Sequence, residues 1–256
     1  MNIAVIQARA TSQRLPGKVL ADLAGAPLLA RVIDRARAAE FVDKVVVAIA
    51  DERGADELQA VAVAAGVATY LGHPRDVLDR TYRAAVASDA GIVVRITSDD
   101  PFKDPAVIDT VIRAIMTDAT CDYASNTLTR TYPEGLDVEC IRLATLKTAW
   151  TEADRPSERE HVTPFIWTRP DRFRLVDIQL DRDLSRLRWT IDYPDDLAMA
   201  RRVYEALAPD ALFGMDQILD LLDRHPEIAQ MNQGPPVNEG YARSVAIEET
   251  PPRGPY

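Results

Sequence analysis

"NIAVIQARATSQRLPGKVL" (residues 2–20) joins an apolar run to a loop that carries Arg9, Arg14 and Lys18. The run "NIAVIQA" (2–8) predicts a buried strand. The loop that leaves it gathers three cations and meets no acidic residue before Asp22. The whole chain is acidic, with a formal net charge of −10, so this basic loop runs against its surroundings. A loop of that kind, at the carboxyl end of a first strand, is where doubly wound folds hold phosphate.

Working outward, the pattern of that first strand repeats. "PLLARVIDRARAAE" (27–40) has apolar residues at helical spacing, and "KVVVAIA" (44–50) reads as a second buried strand. Helix 54–65, strand "VATYL" (67–71), helix 75–88 and strand "GIVVRIT" (91–97) follow. Helix 104–117 should open with Asp104 as its cap and Pro105 behind it. Val/Ile strands separated by helices predict an α/β fold, a doubly wound and mostly parallel sheet covered on both faces. The second half changes character. "DYAS" (122–125), "LDVECIR" (136–142) and "FRLVDIQL" (173–180) predict strands, with helices near 143–153 and 157–168. Residues 126–185 are therefore expected as a small α+β insertion over the open side of the sheet. "RLRWTIDYPDDLAMARRVYEAL" (186–207) predicts strand, turn and helix, and another helix falls near 215–224. Residues 1–228 are expected as one domain. Pro, Gly and Asn accumulate after 229, so 229–256 is expected as an extended tail with a disordered end.

Composition narrows the function. The acidic balance argues against a nucleic-acid-binding surface. No apolar stretch approaches the roughly 20 residues of a membrane span, and no signal-peptide order opens the chain, which predicts a cytoplasmic protein. Cys121 and Cys140 stand alone in strand-like runs and read as buried thiols. His73, His161 and His225 lie far apart, which disfavours a histidine zinc site.

The basic loop is neither a G-x-G-x-x-G turn nor a Walker A loop, since Val19 stands where the latter needs Ser or Thr. Three cations could neutralise most of a triphosphate, with forked bonds from arginine and a mobile point charge from lysine. Ser12 and loop amides would add neutral donors, and Pro16-Gly17 the turn. The alternative is a solvated basic loop.

"QARATSQRLPGKVL" closely resembles the A-R-x-x-S-x-R-L-P-G-K signature of sugar-acid cytidylyltransferases, the CMP-Kdo and CMP-sialic acid synthetases. That resemblance implies a CTP site in which Arg9, Ser12, Arg14 and Lys18 cradle the triphosphate. "YLGHPRDVLDRTYRAA" (70–85) resembles the G-x-x-x-D-V-L-D-R-x-x-x-A-A stretch of the spore-coat polysaccharide branch. It offers Asp76 and Arg80 as nucleotide-binding candidates, against a helix cap with an i,i+4 ion pair. "VVRITSDDPFKDPAVID" (93–109) is similar to the family's G-D-x-P-L-x-D-P segment and sets Asp99 on its magnesium-binding aspartate. Asp100 falls on a variable position, and the two neighbouring carboxylates would repel without a cation. "IDYPDDL" (191–197) is similar to V-D-T-P-E-D-L, which gives Asp192 the second metal position. Asp192 is also a plausible helix cap before Pro194.

"TYPEGLDVECIR" (131–142) and "PSEREHVTPFIW" (156–167) resemble P-x-G-L-D-V-E and E-R-E-H-V-T-P-[YF]-I of the same branch. They imply acceptor contacts from Glu139, Arg159 and His161 and a homodimer contact nearby, while Ser157 and Glu160 spell a capping box. "VNEGYARS" (237–244) is similar to the branch's terminal N-E-G-Y-x-x-S. The implied reaction is attack by an acceptor oxygen, from a 3-deoxy-2-ulosonic sugar acid, on the α-phosphorus of CTP. Arg14, Lys18 and Asp99 would carry the catalysis, with Mg²⁺ on Asp99 and Asp192. The alternatives are a phosphonate or other anionic acceptor, or a silent sugar-nucleotide-binding module.

Overall fold

A computed structural model describes residues 1–12, 14–232 and 239–249. In chain order the strands are β1 (Asn2–Ala8), β2 (Asp22–Leu23), β3 (Ala26–Pro27), β4 (Lys44–Ala50), β5 (Ala68–Gly72), β6 (Ile92–Thr97), β7 (Tyr123–Ser125), β8 (Glu139–Arg142) and β9 (Leu175–Asp177). The helices are α1 (Leu28–Arg37), α2 (Ala55–Ala64), α3 (Val77–Ala87), α4 (Pro105–Thr117), α5 (Leu143–Glu152), α6 (Pro156–His161), α7 (Pro164–Trp167), α8 (Pro194–Leu207), α9 (Met215–Arg224), α10 (Pro226–Ala229) and α11 (Glu239–Glu249).

Seven strands form one sheet in the order β5-β4-β1-β6-β8-β7-β9. β5, β4, β1 and β6 are mutually parallel, so their carboxyl ends share one edge. β8 runs antiparallel to both β6 and β7. Side chains alternate across the sheet. Ala4, Ile6, Val47, Ile49, Val94 and Ile96 join the core under α1, α2, α4 and α8. Ile3, Val5, Val46, Ala48 and Val93 join the core under α3, α5 and α7. Burial on both faces is why these strands read as continuous Val/Ile runs.

Asp104 caps α4 as expected, accepting from the Ala106 amide at 2.8 Å with Pro105 at the first helical position. Both cysteines are buried free thiols. Several expectations need correction. The strands of 126–185 do not form a separate layer; β8 and β9 extend the main sheet itself. Helix 157–168 is two helices, because Val162 has φ 73 and Pro164 starts a new turn. Ser157 is not the cap of α6: that position is Arg155, and no side chain of the helix itself caps it. Residues 186–192 form no strand; one isolated bridge, Glu134 to Arg188, is their only ladder contact among the described residues. The tail is not extended throughout, since α11 is helical and packs on α6. Residues 233–238 and 250–256 lie outside the described residues, with part of the terminal motif.

Candidate active site

The basic loop leaves β1 and tightens at Gly17, whose φ of 71 admits no ordinary side chain without strain. A single 3₁₀ turn, Lys18–Leu20, follows and buries Val19, which fixes the root of Lys18. The Lys18 ammonium donates to Asp99 Oδ2 at 2.7 Å, Asp192 Oδ1 at 2.8 Å and the Ile191 carbonyl at 2.7 Å. Arg14 reaches the same Asp192 oxygen at 2.6 Å. Three segments that are far apart in sequence thus meet beyond the carboxyl ends of β1 and β6. Burial works against the Lys18 charge, but Asp99 and Asp192 outweigh it and raise its pKa. Burial likewise pushes the Asp192 carboxyl up, and Lys18 with Arg14 override it to hold the pKa at about 2.

Asp192 is not a helix cap. The cap position is Tyr193, and Asp196 accepts the backbone N–H of both Asp192 and Tyr193 at 2.8 Å. The Asp192 carboxylate is therefore left to the site. Its segment is docked through the Ile191 amide, which donates to the Asp99 carbonyl at 2.9 Å. Gly135 makes that docking possible, because a Cβ there would stand 2.7 Å from the Trp189 carbonyl carbon. Sequence reasoning missed Arg188, which is buried and binds Asp196 at 3.0 Å, Asp192 at 3.3 Å and Glu134 at 3.0 Å. It orients Asp192 from behind. A lone arginine whose partners include Glu134, far back in the chain, carries no local signal.

The adjacent acids divide between two lysines. Asp99 faces Lys18, whereas Asp100 is buried against Lys103 at 2.9 Å and accepts from Thr97 Oγ1 at 2.5 Å. The repulsion expected between them is thus relieved by protein cations, and it is no argument for a metal. The geometry itself supplies a better one. Asp99 and Asp192 aim oxygens at one ammonium, a position a hard cation could share with phosphate oxygens. Among the described residues, no group of three or more His, Cys, Asp or Glu side chains is arranged to hold a metal. A two-carboxylate site suits magnesium, which commonly keeps water and phosphate in its shell.

Ser12 Oγ accepts from the Leu15 amide at 3.4 Å and shapes the loop, while Arg9 is exposed. Arg80 is buried, donates to the His73 and Pro74 carbonyls at 2.6 and 3.2 Å, and leaves its Nε without a partner. Burial pulls its pKa down to about 10, and the Arg9 charge adds to that. The expected Asp76–Arg80 ion pair does not form. Asp76 caps α3, accepting from the Asp79 amide at 2.9 Å, and takes the fork of Arg159 at 2.6 Å. Candidates assigned to two different ligands therefore bond each other across α3 and α6.

A cavity of about 460 Å³ lies beside this centre, lined by Arg95, Arg130, Glu139, His161, Trp167 and Tyr241 among others. Glu139 pairs with Arg95 across β6 and β8 and accepts from Tyr123 at 2.6 Å. Burial raises its pKa, but Arg95, Thr163 and Tyr123 prevail and keep it below the ordinary value. Burial pushes the His161 pKa down, and its ring shares a 2.9 Å hydrogen bond with Ser244 of α11. Only Glu139 and His161 of the three acceptor candidates line this cavity. Arg130, Trp167 and Tyr241 were not anticipated.

A family model for cytidylyltransferases matches residues 3–232. The chain is 30% identical to the spore coat polysaccharide biosynthesis protein SpsF of Bacillus subtilis, over 88% of this chain and 95% of that protein. It is 45% identical to a 3-deoxy-manno-octulosonate cytidylyltransferase of Anaeromyxobacter, over 43% of this chain and 45% of that one. Its fold is similar to the solved structure of a cytidylyltransferase from Leptospira borgpetersenii, with a TM-score of 0.87 at 27% identity, over 91% of this chain and 98% of the other. Among the described residues no helix is long and apolar enough to cross a membrane. With its cationic loop and paired aspartates at the sheet's carboxyl edge, the chain belongs to the cytidylyltransferase family and is a CTP-dependent nucleotidyltransferase.

Proposed function

We propose that this enzyme transfers CMP from CTP to an acidic acceptor, a 3-deoxy-2-ulosonic sugar acid of the Kdo or nonulosonate kind, and releases pyrophosphate. The observation that carries the reading is the Lys18 ammonium held between Asp99 and Asp192, with Arg14 on the same Asp192 oxygen. A relative named for 3-deoxy-manno-octulosonate supports the acceptor class. The same reading makes the enzyme a cytoplasmic homodimer.

In this proposal an acceptor hydroxyl oxygen attacks the α-phosphorus and gives up its proton to water, while the bond from that phosphorus to the bridging oxygen breaks and pyrophosphate leaves. Catalysis is mainly alignment and charge neutralisation. Arg9, Ser12, Arg14 and Lys18 hold the triphosphate; Lys18 and Arg14 exchange carboxylate oxygens for phosphate oxygens as it binds. Arg80 is a further nucleotide-binding residue in this reading, its charge standing close enough to that of Arg9 for the two to repel. Asp99 and Asp192 would hold Mg²⁺, which supplies positive charge beside the phosphates. Glu139 and His161 face the acceptor. Asp76 and Arg159 serve as a strut that fixes α6 against α3 and touch neither substrate.

Calorimetric titration with CTP, UTP, ATP and GTP, each with and without Mg²⁺, tests the donor site. Selective CTP binding that strengthens with Mg²⁺ is expected. Binding of all four nucleotides alike, or of none, would overturn the reading.

A further inference from the structure

His161 ends α6 and lines the 460 Å³ cavity beside the paired aspartates. That cavity reaches Thr97 at the carboxyl end of β6, two residues before Asp99. Its other charged walls are committed to partners: Arg95 pairs with Glu139, and Arg130 with Asp137. His161 is held differently. Ser244 of α11 stands 2.9 Å from the ring Nε2 and donates its hydroxyl proton to Glu160 Oε2 at 3.1 Å. An ionised carboxylate only accepts, so the Ser244 oxygen is left to accept from Nε2–H. The neutral ring therefore carries its proton on Nε2 and a lone pair on Nδ1. Among the described residues Nδ1 makes no hydrogen bond, and it is not sealed from solvent, so it is open to a molecule in the cavity. Glu160 stands 3.9 Å from Nε2, close enough to favour the imidazolium. The other charges that act on the ring are Arg95 on β6, Glu139 on β8 and Arg9 of the basic loop, and Tyr241 of α11 stands edge-on to it at 5.3 Å.

We propose that His161 is the general base of the transfer, its Nδ1 taking the proton of the attacking hydroxyl, and that Ser244 and Glu160 position it. This rests on reading the cavity as the acceptor site. As the hydroxyl oxygen bonds to the α-phosphorus, its O–H electron pair stays on oxygen and its proton moves to the Nδ1 lone pair. The bond to the bridging oxygen breaks with its electrons, and pyrophosphate leaves. The imidazolium keeps its Nε2–H on Ser244 and then gives the Nδ1 proton to water. A positioned base of this kind contributes about 100-fold or more in rate.

The test follows pyrophosphate release at saturating CTP and Mg²⁺ across acid and neutral pH, with Kdo and N-acetylneuraminate each supplied as acceptor. Wild-type kcat/KM for the acceptor should rise about tenfold per pH unit on the acid side. It should level off at a pKa below the usual histidine value, since burial pulls His161 down. His161→Gln, which keeps a donor for Ser244, should lose that acid limb and about 100-fold or more in kcat, with CTP affinity in calorimetry unchanged. Glu160→Gln removes a charge that favours the imidazolium, so its acid limb should move to lower pH; a merely structural Glu160 would leave it in place. A His161→Gln enzyme that keeps near wild-type kcat or the acid limb, or a limb that Glu160→Gln does not move, would overturn the proposal. Turnover of neither sugar by an enzyme that binds CTP selectively would bring down the acceptor reading and this role with it. Failure of CTP binding, by contrast, would bring down the donor-site reading on which both stand.

Discussion

Lys18 is one side chain with two occupations. It satisfies Asp99, Asp192 and the Ile191 carbonyl; under the proposed function its charge is needed on phosphate. Lys18→Ala should therefore lower turnover by about 100-fold or more, as loss of one preorganised charge-stabilising group commonly does. Initial rates of pyrophosphate release would show it, and a near wild-type rate would remove Lys18 from the mechanism. Gly135 acts at the same scale by a different route. Its φ of 104 and the 2.7 Å approach of a Cβ to the Trp189 carbonyl carbon leave alanine no place. Gly135→Ala should destabilise the fold by about 2 kcal/mol or more. Because the displaced backbone leads directly to Asp192, urea unfolding should shift together with a weaker response to Mg²⁺. A variant of wild-type stability would contradict the contact.

Elements explain why Asp76 and Arg159 look like ligand contacts in the sequence and like a strut in the fold. Asp76 caps α3 four residues past β5, where ribose-binding acids and helix caps occur alike. Only tertiary packing, with α6 bringing Arg159 across 83 residues, separates the two roles. Asp76→Ala removes a cap, about 1 kcal/mol, and strands a partly buried guanidinium, a further ~1–3 kcal/mol. Unfolding should register the loss while CTP affinity stays within about twofold; a large fall in CTP affinity with normal stability would restore the nucleotide role. The same contrast marks how much could be read beforehand. β1, β4, β6, α1 and α4 were legible because burial on two faces and helical spacing are local properties. The 186–192 segment was not, since its backbone bonds go to Asp99, Glu134 and Lys18 rather than to a neighbouring strand. The pause at Val162 was half legible: Pro164 suits the first position of a new helix, but nothing local signals φ 73 at a β-branched residue. The Lys18–Asp99–Asp192 residues were found through motif resemblance; Arg188 and Tyr241 needed the fold.

Across the molecule, the site is held by charges that share partners, and this gives stability a pH signature. Arg188 divides one positive charge among Glu134, Asp192 and Asp196. Glu134 consequently keeps little of it. Burial raises its pKa, and although Arg188 opposes this, Asp137 and Asp100 add to the rise and bring it to about 7 from a usual 4.5. A folded-state pKa above the unfolded one means that the native protein binds the extra proton between these values. The stability Glu134 contributes is full below pH 4.5 and is lost as pH rises through about 7. The difference is at most about 3 kcal/mol. Other groups titrate in this window, His161 in the opposite sense, so the wild-type curve alone cannot isolate the effect. Glu134→Gln can, because glutamine mimics the protonated acid at every pH. The variant should match the wild type in urea unfolding near pH 5 and exceed it by about 1–3 kcal/mol near pH 8. Equal stabilities at both values would mean that Glu134 stays ionised throughout, with Arg188 as its full partner. A variant weaker at pH 8 than the wild type would show that the ion pair outweighs burial and that Asp192 owes part of its position to the ionised Glu134.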